Sequence, residues 1–161
     1  MNPFAWLLAL SRRKSPWIYC TNSGSCNGCD IEIGPCTAPR YDAEQTGVLR
    51  QGSPKHADVL LITGPVTKRS RETLLAVYAQ MPSPKAVVAV GSCPASGNVY
   101  AGSPSIDGPV DKFIPVDVWV PGCPPRPQQI LAGIAQAAQL LADGATADQK
   151  GGAPQRLEAM P

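Results

Sequence analysis

The sequence predicts an α/β fold, a parallel sheet of about four strands with helices on both faces. Three observations predict it. The runs 57–64, 86–90 and 116–120 are apolar without polar alternation, as strands covered on both faces must be. Segments with helical spacing follow the first and the last of these runs. The second and third runs end abruptly in turns rich in glycine and proline, and such alternation of strand and helix builds parallel sheets.

The 161 residues suffice for one α/β domain with a substantial core and are too few for two of ordinary size. Charged residues make up only 16%, below the usual quarter, which implies that other subunits cover much of the surface. The net charge of +2 and the lack of a basic stripe interleaved with aromatics argue against nucleic acid as a partner. The 15 glycines and 18 prolines lie mostly beside the cysteines and near the C-terminus, so they mark tight turns and a tail.

Residues 1–15 form the first element, a short amphipathic segment with Phe4, Trp6, Leu7 and Leu10 on one side and Arg12, Arg13 and Lys14 at its end. Such a helix suits a membrane surface or a partner's groove, with a flexible tail as the alternative. The basic residues follow the apolar ones, the reverse of a secretory leader, and the apolar stretch is far short of the ~20 residues that span a bilayer. The chain is therefore expected on the cytoplasmic side, where thiols stay reduced and clustered cysteines serve metal or redox chemistry.

The main domain is expected over 16–143. Trp17 to Cys20 is its first strand, followed by the loop 21–25. Ala57 to Gly64 is the second strand. Residues 69–81 carry helical spacing through Leu74, Leu75, Val77, Tyr78 and Met81, a core stripe, and stop at Pro82. Ser70-Arg71-Glu72 is an ordinary helix start. Ala86 to Val90 is the third strand and Val116 to Val120 the fourth. The last helix begins near Pro127, a good first-turn residue, and runs to about Ala142. Residues 144–161, rich in Gly, Ala, Pro and Gln, are expected to be a disordered tail.

Chemistry concentrates in four cysteines spaced Cys26-x2-Cys29-x63-Cys93-x29-Cys123. Cys93 and Cys123 lie just past the carboxyl ends of expected strands, the edge at which functional groups gather in open parallel sheets. Loops converging there could place four thiolates around one inorganic core. Gly28, Gly91 and Gly122 stand beside them, allowing close backbone approach and offering N–H groups to sulfur. Prolines after Cys93 and Cys123 stiffen the loops. Together these features point to one [4Fe–4S] cluster passing single electrons. Two other readings stay open: a structural zinc, which usually uses two close pairs where only one is present, and a thioredoxin-like redox pair at Cys26 and Cys29. Cys20 and Cys36 lie in no comparable loop and are read as non-ligands.

At these motifs the chain resembles the small electron-transferring subunit shared by [NiFe] hydrogenases and respiratory complex I. The residues are Cys26-Asn27-Gly28-Cys29-Asp30-Ile31-Glu32, Arg40-Tyr41-Asp42, 52–58 (Gly-Ser-Pro-Lys-His-Ala-Asp), Gly91-Ser92-Cys93, 111–117 (Asp-Lys-Phe-Ile-Pro-Val-Asp) and 120–127 (Val-Pro-Gly-Cys-Pro-Pro-Arg-Pro), so the likeness spans about 16–140. The complex I subunit normally has two adjacent cysteines at the first site. The Cys-x-x-Cys here is similar to membrane-bound energy-converting hydrogenases of the formate-hydrogenlyase, carbon-monoxide-induced and Ech types, and to a related sulfur-reducing complex.

The resemblance implies a flavodoxin-like, doubly wound fold and a cluster facing a large subunit. It also implies a ferredoxin-like iron–sulfur subunit and membrane subunits as partners, at the cytoplasmic face of the membrane. Two leftover cysteines are too few for a second cluster, and the chain lacks the further Cys-x-x-Cys pair that nickel would need. Glu32, one turn after Cys29, is expected either to couple a proton to the redox step or simply to favour the helix start, as Asp30 does. Arg40 and Arg126 are expected to offset cluster charge or to pair with the large subunit. His56, just before a strand, is read as structural.

Overall fold

A computed structural model describes residues 3–146. In chain order the elements are α1 (Pro3–Lys14), β1 (Trp17–Asn22), α2 (Gly28–Ile33), β2 (Leu49–Arg50), β3 (Val59–Thr63), β4 (Val66–Thr67), α3 (Arg71–Gln80), β5 (Ala86–Val90), α4 (Ser92–Ser96), β6 (Ile106–Gly108), β7 (Val118–Val120) and α5 (Pro127–Ala142).

The main sheet has five strands in the order β2-β1-β3-β5-β7, all parallel, so the expected count of about four is corrected to five. The added strand is the edge pair Leu49–Arg50, both exposed and too short for any hydrophobic period to register. Counting sheet strands alone, the order is 2-1-3-4-5, the flavodoxin-like doubly wound arrangement. A second sheet, also absent from the sequence reading, pairs β4 with β6 antiparallel.

The period of two within the buried strands sorts the core into two layers. Val59 and Leu61 of β3, Val88 and Val90 of β5, and Val118 and Val120 of β7 join Ile130, Ile134, Ala137 and Leu141 of α5 on one face. Leu60, Ile62, Val87 and Trp119 meet Leu74, Val77 and Met81 on the other. Gly133 lets α5 sit directly on the sheet, because a Cβ there would collide with Val120.

Each boundary has a local cause. α3 ends where buried Lys85 donates to the carbonyls of Tyr78, at 2.8 Å, and Met81, at 3.2 Å, with its ammonium 4.0 Å over the Tyr78 ring. β7 starts two residues later than the apolar run because Asp117 accepts the Val87 N–H through its side chain, at 2.7 Å, and donates its own N–H to the Val87 carbonyl. α5 begins at Pro127 and closes over Gly144, whose φ of 66° permits the Ala145 N–H to reach the Leu140 carbonyl. Gly144, Ala145 and Thr146, assigned by the sequence to the tail, are thus wound onto the helix end, with Thr146 buried. Residues 1–2 and 147–161 lie outside the described residues.

α1 is helical, as its pattern predicts, and packs against α5 of its own chain, with Arg12 3.9 Å from Asp58. Among the described residues no helix is long and apolar enough to cross a membrane.

Candidate metal centre at the carboxyl edge of the sheet

Three loops leave the carboxyl ends of β1, β5 and β7 and carry the four cysteines to one rim. In the first, Asn27 adopts a left-handed φ of 67° and α2 begins at Gly28, whose missing Cβ would lie 3.6 Å from the Cys26 sulfur. Asp30 organises this loop. Its Oδ2 accepts from Asn22 Nδ2 at 2.9 Å and from Ser25 Oγ at 2.5 Å, and its Oδ1 accepts from Thr63 Oγ1 at 2.9 Å. Asn22 Oδ1 in turn accepts the N–H groups of Gly24 and Ser25. Asp30 thereby ties the first cysteine loop to the end of β3, a role beyond the helix start expected of it.

The other two loops are laced together. Gly91 N–H donates to the Val120 carbonyl at 2.8 Å, and both the N–H and the hydroxyl of Ser92 donate to the Gly122 carbonyl. Gly91, at φ 98°, leaves room for a sulfur: a Cβ there would stand 2.7 Å from Cys29 Sγ and 3.5 Å from the Gly122 oxygen. Gly122, at φ 143°, turns so tightly that a Cβ would meet Pro125. Backbone freedom is required at both positions.

Cys29 and Cys93 are buried, whereas Cys26 and Cys123 are exposed. Burial first, then the neighbouring Cys93, Asp30, Cys26 and Cys123, push the Cys29 thiol up to about 12. Burial also raises Cys93; a hydrogen bond from Asn98 opposes the shift, and Cys123 and Cys26 add to it. Cys26 and Cys123 thus act on both buried thiols, and Cys93 acts on Cys29 as well. Among the described residues no three His, Cys, Asp or Glu side chains are grouped as ligands of a single ion. Four cysteines on strand-end loops, beside a glycine position where a Cβ would stand 2.7 Å from Cys29 Sγ, are a donor set that an iron–sulfur group would fit. Such a group would hold its cysteines as thiolates.

Asn98 was not singled out in the sequence. It follows α4 at φ 46°, and its Nδ2 donates to Cys123 Sγ at 3.5 Å. Its signal was the Gly97-Asn98 pair five residues past Cys93, where a left-handed turn is favoured.

Other expected residues stand outside this set. Cys36 is buried, pushed up to about 11 by burial and then by Cys20, and its sulfur lies against the carbonyls of Glu32 and Pro127. Burial raises Cys20 as well. Neither thiol is among the groups acting on Cys29 or Cys93. The Glu32 charge acts on Cys36 and is not among those acting on Cys29. Arg40 lies 5.8 Å over the Tyr41 ring, and Tyr41 accepts from Gln128 at the start of α5. The Arg126 N–H donates to Gln129 Oε1 at 2.9 Å, capping α5. Among the described residues neither guanidinium bonds to a cysteine.

Residues 26–137 match the family described as NADH ubiquinone oxidoreductase, 20 Kd subunit. The "Probable membrane-bound hydrogenase subunit mbhJ" of Pyrococcus furiosus is 57% identical over 129 residues, covering 80% of this chain and 77% of that protein. A subunit of the NADH-quinone oxidoreductase of Citrifermentans bemidjiense is 40% identical over 137 residues, 85% of this chain and 78% of its own length. Among solved structures, a chain of the archaeal membrane-bound sulfane sulfur reductase superposes with a TM-score of 0.75 at 38% identity, covering 86% of this chain and 77% of that one.

Proposed function

The chain belongs to the NADH ubiquinone oxidoreductase 20 Kd subunit family, and from that premise we propose that it is the electron-transfer subunit of a membrane-associated, energy-converting [NiFe] hydrogenase. Cys26, Cys29, Cys93 and Cys123 would hold one [4Fe–4S] cluster. The observation that carries this reading is the placement of these four cysteines on three strand-end loops at one edge of the sheet, where Cys26 and Cys123 both act on the buried thiols of Cys29 and Cys93. The hydrogenase branch is supported by the 57% identity to the Pyrococcus furiosus hydrogenase subunit and by the Cys-x-x-Cys spacing of the first site.

The cluster, when bound, supplies one-electron exchange with no bond made or broken. The protein's part is to set its surroundings. Gly91 brings backbone against the Cys29 sulfur, Gly122 makes the tight turn before Cys123, Asp30 fixes the first loop, and the buried pair Cys29 and Cys93 would anchor the inner side. The exposed pair, Cys26 and Cys123, faces outward, where a large subunit would dock and carry out the hydrogen chemistry. A ferredoxin-like subunit would supply or accept electrons, membrane subunits would anchor the complex, and this chain would sit as a peripheral subunit on the cytoplasmic side.

A second reading is favoured by the 40% identity to a complex I subunit and the TM-score of 0.75 to a sulfane sulfur reductase chain: the same relay serving a quinone- or sulfur-reducing large subunit. The sequence of the co-purifying large subunit separates the two, since two Cys-x-x-Cys pairs there indicate nickel. The relay itself is tested by iron and acid-labile sulfide analysis of the anaerobically purified chain, with EPR after dithionite reduction. About four irons and a reduced-state signal are expected. Cys93→Ser and Cys123→Ser should abolish that signal and Cys20→Ser should keep it. Stoichiometric zinc with neither iron nor signal would refute the relay.

A further inference from the structure

We propose that Asn98 sets the reduction potential of the metal centre by donating its side-chain amide to the sulfur of Cys123. The proposal rests on the cluster reading given above and assigns a residue to it that no cysteine motif contains.

The geometry is built for that purpose. Asn98 follows Gly97, itself left-handed at φ 80°, and stands at φ 46°, a conformation that asparagine tolerates better than other side-chain-bearing residues. The turn is closed by the Gly97 N–H on the Cys93 carbonyl at 2.8 Å, the Asn98 N–H on Ser96 Oγ at 3.2 Å and the Ala101 N–H on the Asn98 carbonyl at 3.1 Å. With the turn so closed, the side chain reaches the neighbouring loop, with Nδ2 3.5 Å from Cys123 Sγ. The same side chain lowers the Cys93 thiol against the effect of its burial.

A hydrogen bond to a cysteine sulfur offsets negative charge on it. Reduction adds one electron, delivered by a low-potential donor subunit and passed on unchanged, and raises the negative charge shared by the sulfurs. The bond is therefore stronger in the reduced state and raises the potential. Asn98 is a positioning residue in this scheme, since it exchanges no electron itself.

The test is an EPR-monitored redox titration of the anaerobically purified full chain and two variants that both suit a left-handed turn. Asn98→Gly removes the donor; Asn98→Asp replaces it with an acceptor of the same shape. Iron and sulfide content should match the wild type in both. The Gly variant should shift the one-electron equilibrium toward the oxidised form by about tenfold, 59 mV, and the Asp variant further. Wild-type potentials in both fully loaded variants would overturn the proposal. Clusters lost from both variants but present in the wild type would also overturn it, leaving Asn98 a folding residue. A wild-type chain without iron would instead refute the relay on which the proposal stands.

Discussion

Replacing Gly91 by alanine puts the packing of the centre to a direct test. The residue sits at φ 98°, where a side chain is strained by about 1–2 kcal/mol. Its new methyl would stand 2.7 Å from Cys29 Sγ, against the 3.4 Å at which ordinary contact begins, so something must give by more than half an ångström. The sulfur cannot easily yield, because Cys29 is buried against α5 and β5, and overpacking of this kind costs about 1–3 kcal/mol. The sum is roughly 2–5 kcal/mol, or a fall in melting temperature of about 4–20 °C at ~2–4 °C per kcal/mol for a domain of this size. Gly52→Ala is the control, since nothing lies within 4 Å of a Cβ there, and it should stay within about 0.5 kcal/mol. Thermal unfolding of the iron-free chain followed by circular dichroism reads the strain. Iron and sulfide content of the anaerobically isolated variant reads the displacement of Cys29, and should fall. A Gly91→Ala chain that melts with the wild type and carries a full complement of iron would refute the claim that this backbone is shaped around a sulfur.

Gly133→Ala should destabilise by about 1–3 kcal/mol by lifting α5 from Val120, while Gly34→Ala, with open space around its Cβ, should cost far less; urea unfolding of both checks this. Lys85→Met should cost about 1–3 kcal/mol in the same assay, because the buried carbonyls of Tyr78 and Met81 lose their donor. Asp58 gives a pH dependence. Burial raises its carboxyl above the ordinary value, outweighing the Trp17 N–H and Arg12, which lower it. A carboxyl raised on folding stabilises fully below its unfolded pKa, and that contribution is lost as pH rises through the folded value. Asp58→Asn keeps an acceptor for Trp17 and should therefore gain stability relative to the wild type as pH increases from about 4 to 7; melting temperatures across that range that run parallel would contradict the assignment.

The sequence carried the central strands and α5 clearly, for one reason. β3, β5 and β7 are buried on both faces, so their composition is apolar throughout, and α5 begins at a proline and ends at a glycine that mark its bounds. The pieces it hid are those whose cause lies elsewhere in the chain. Leu49–Arg50 is a strand only because β1 offers it an edge, and Val66–Thr67 because Ile106–Gly108 lies opposite. Asp117, read within an apolar run, shortens β7 by bonding to Val87, 30 residues away. At the edge, the cysteine loops stood out because glycine stands beside each and proline follows Cys93 and Cys123. Asp30 and Asn98 did not, since an acid in a first helical turn and an asparagine beside a glycine are ordinary locally. Their partners, Thr63 and Cys123, come from other strands' ends.

One consequence follows from the unequal exposure of the four sulfurs. With Cys29 and Cys93 buried and Cys26 and Cys123 exposed, the latter two are the thiols open to oxidants and chelators. If the proposed cluster is bound there, a chain released before assembly would be attacked first at that outer pair, and its protection would have to come from the neighbour that covers it.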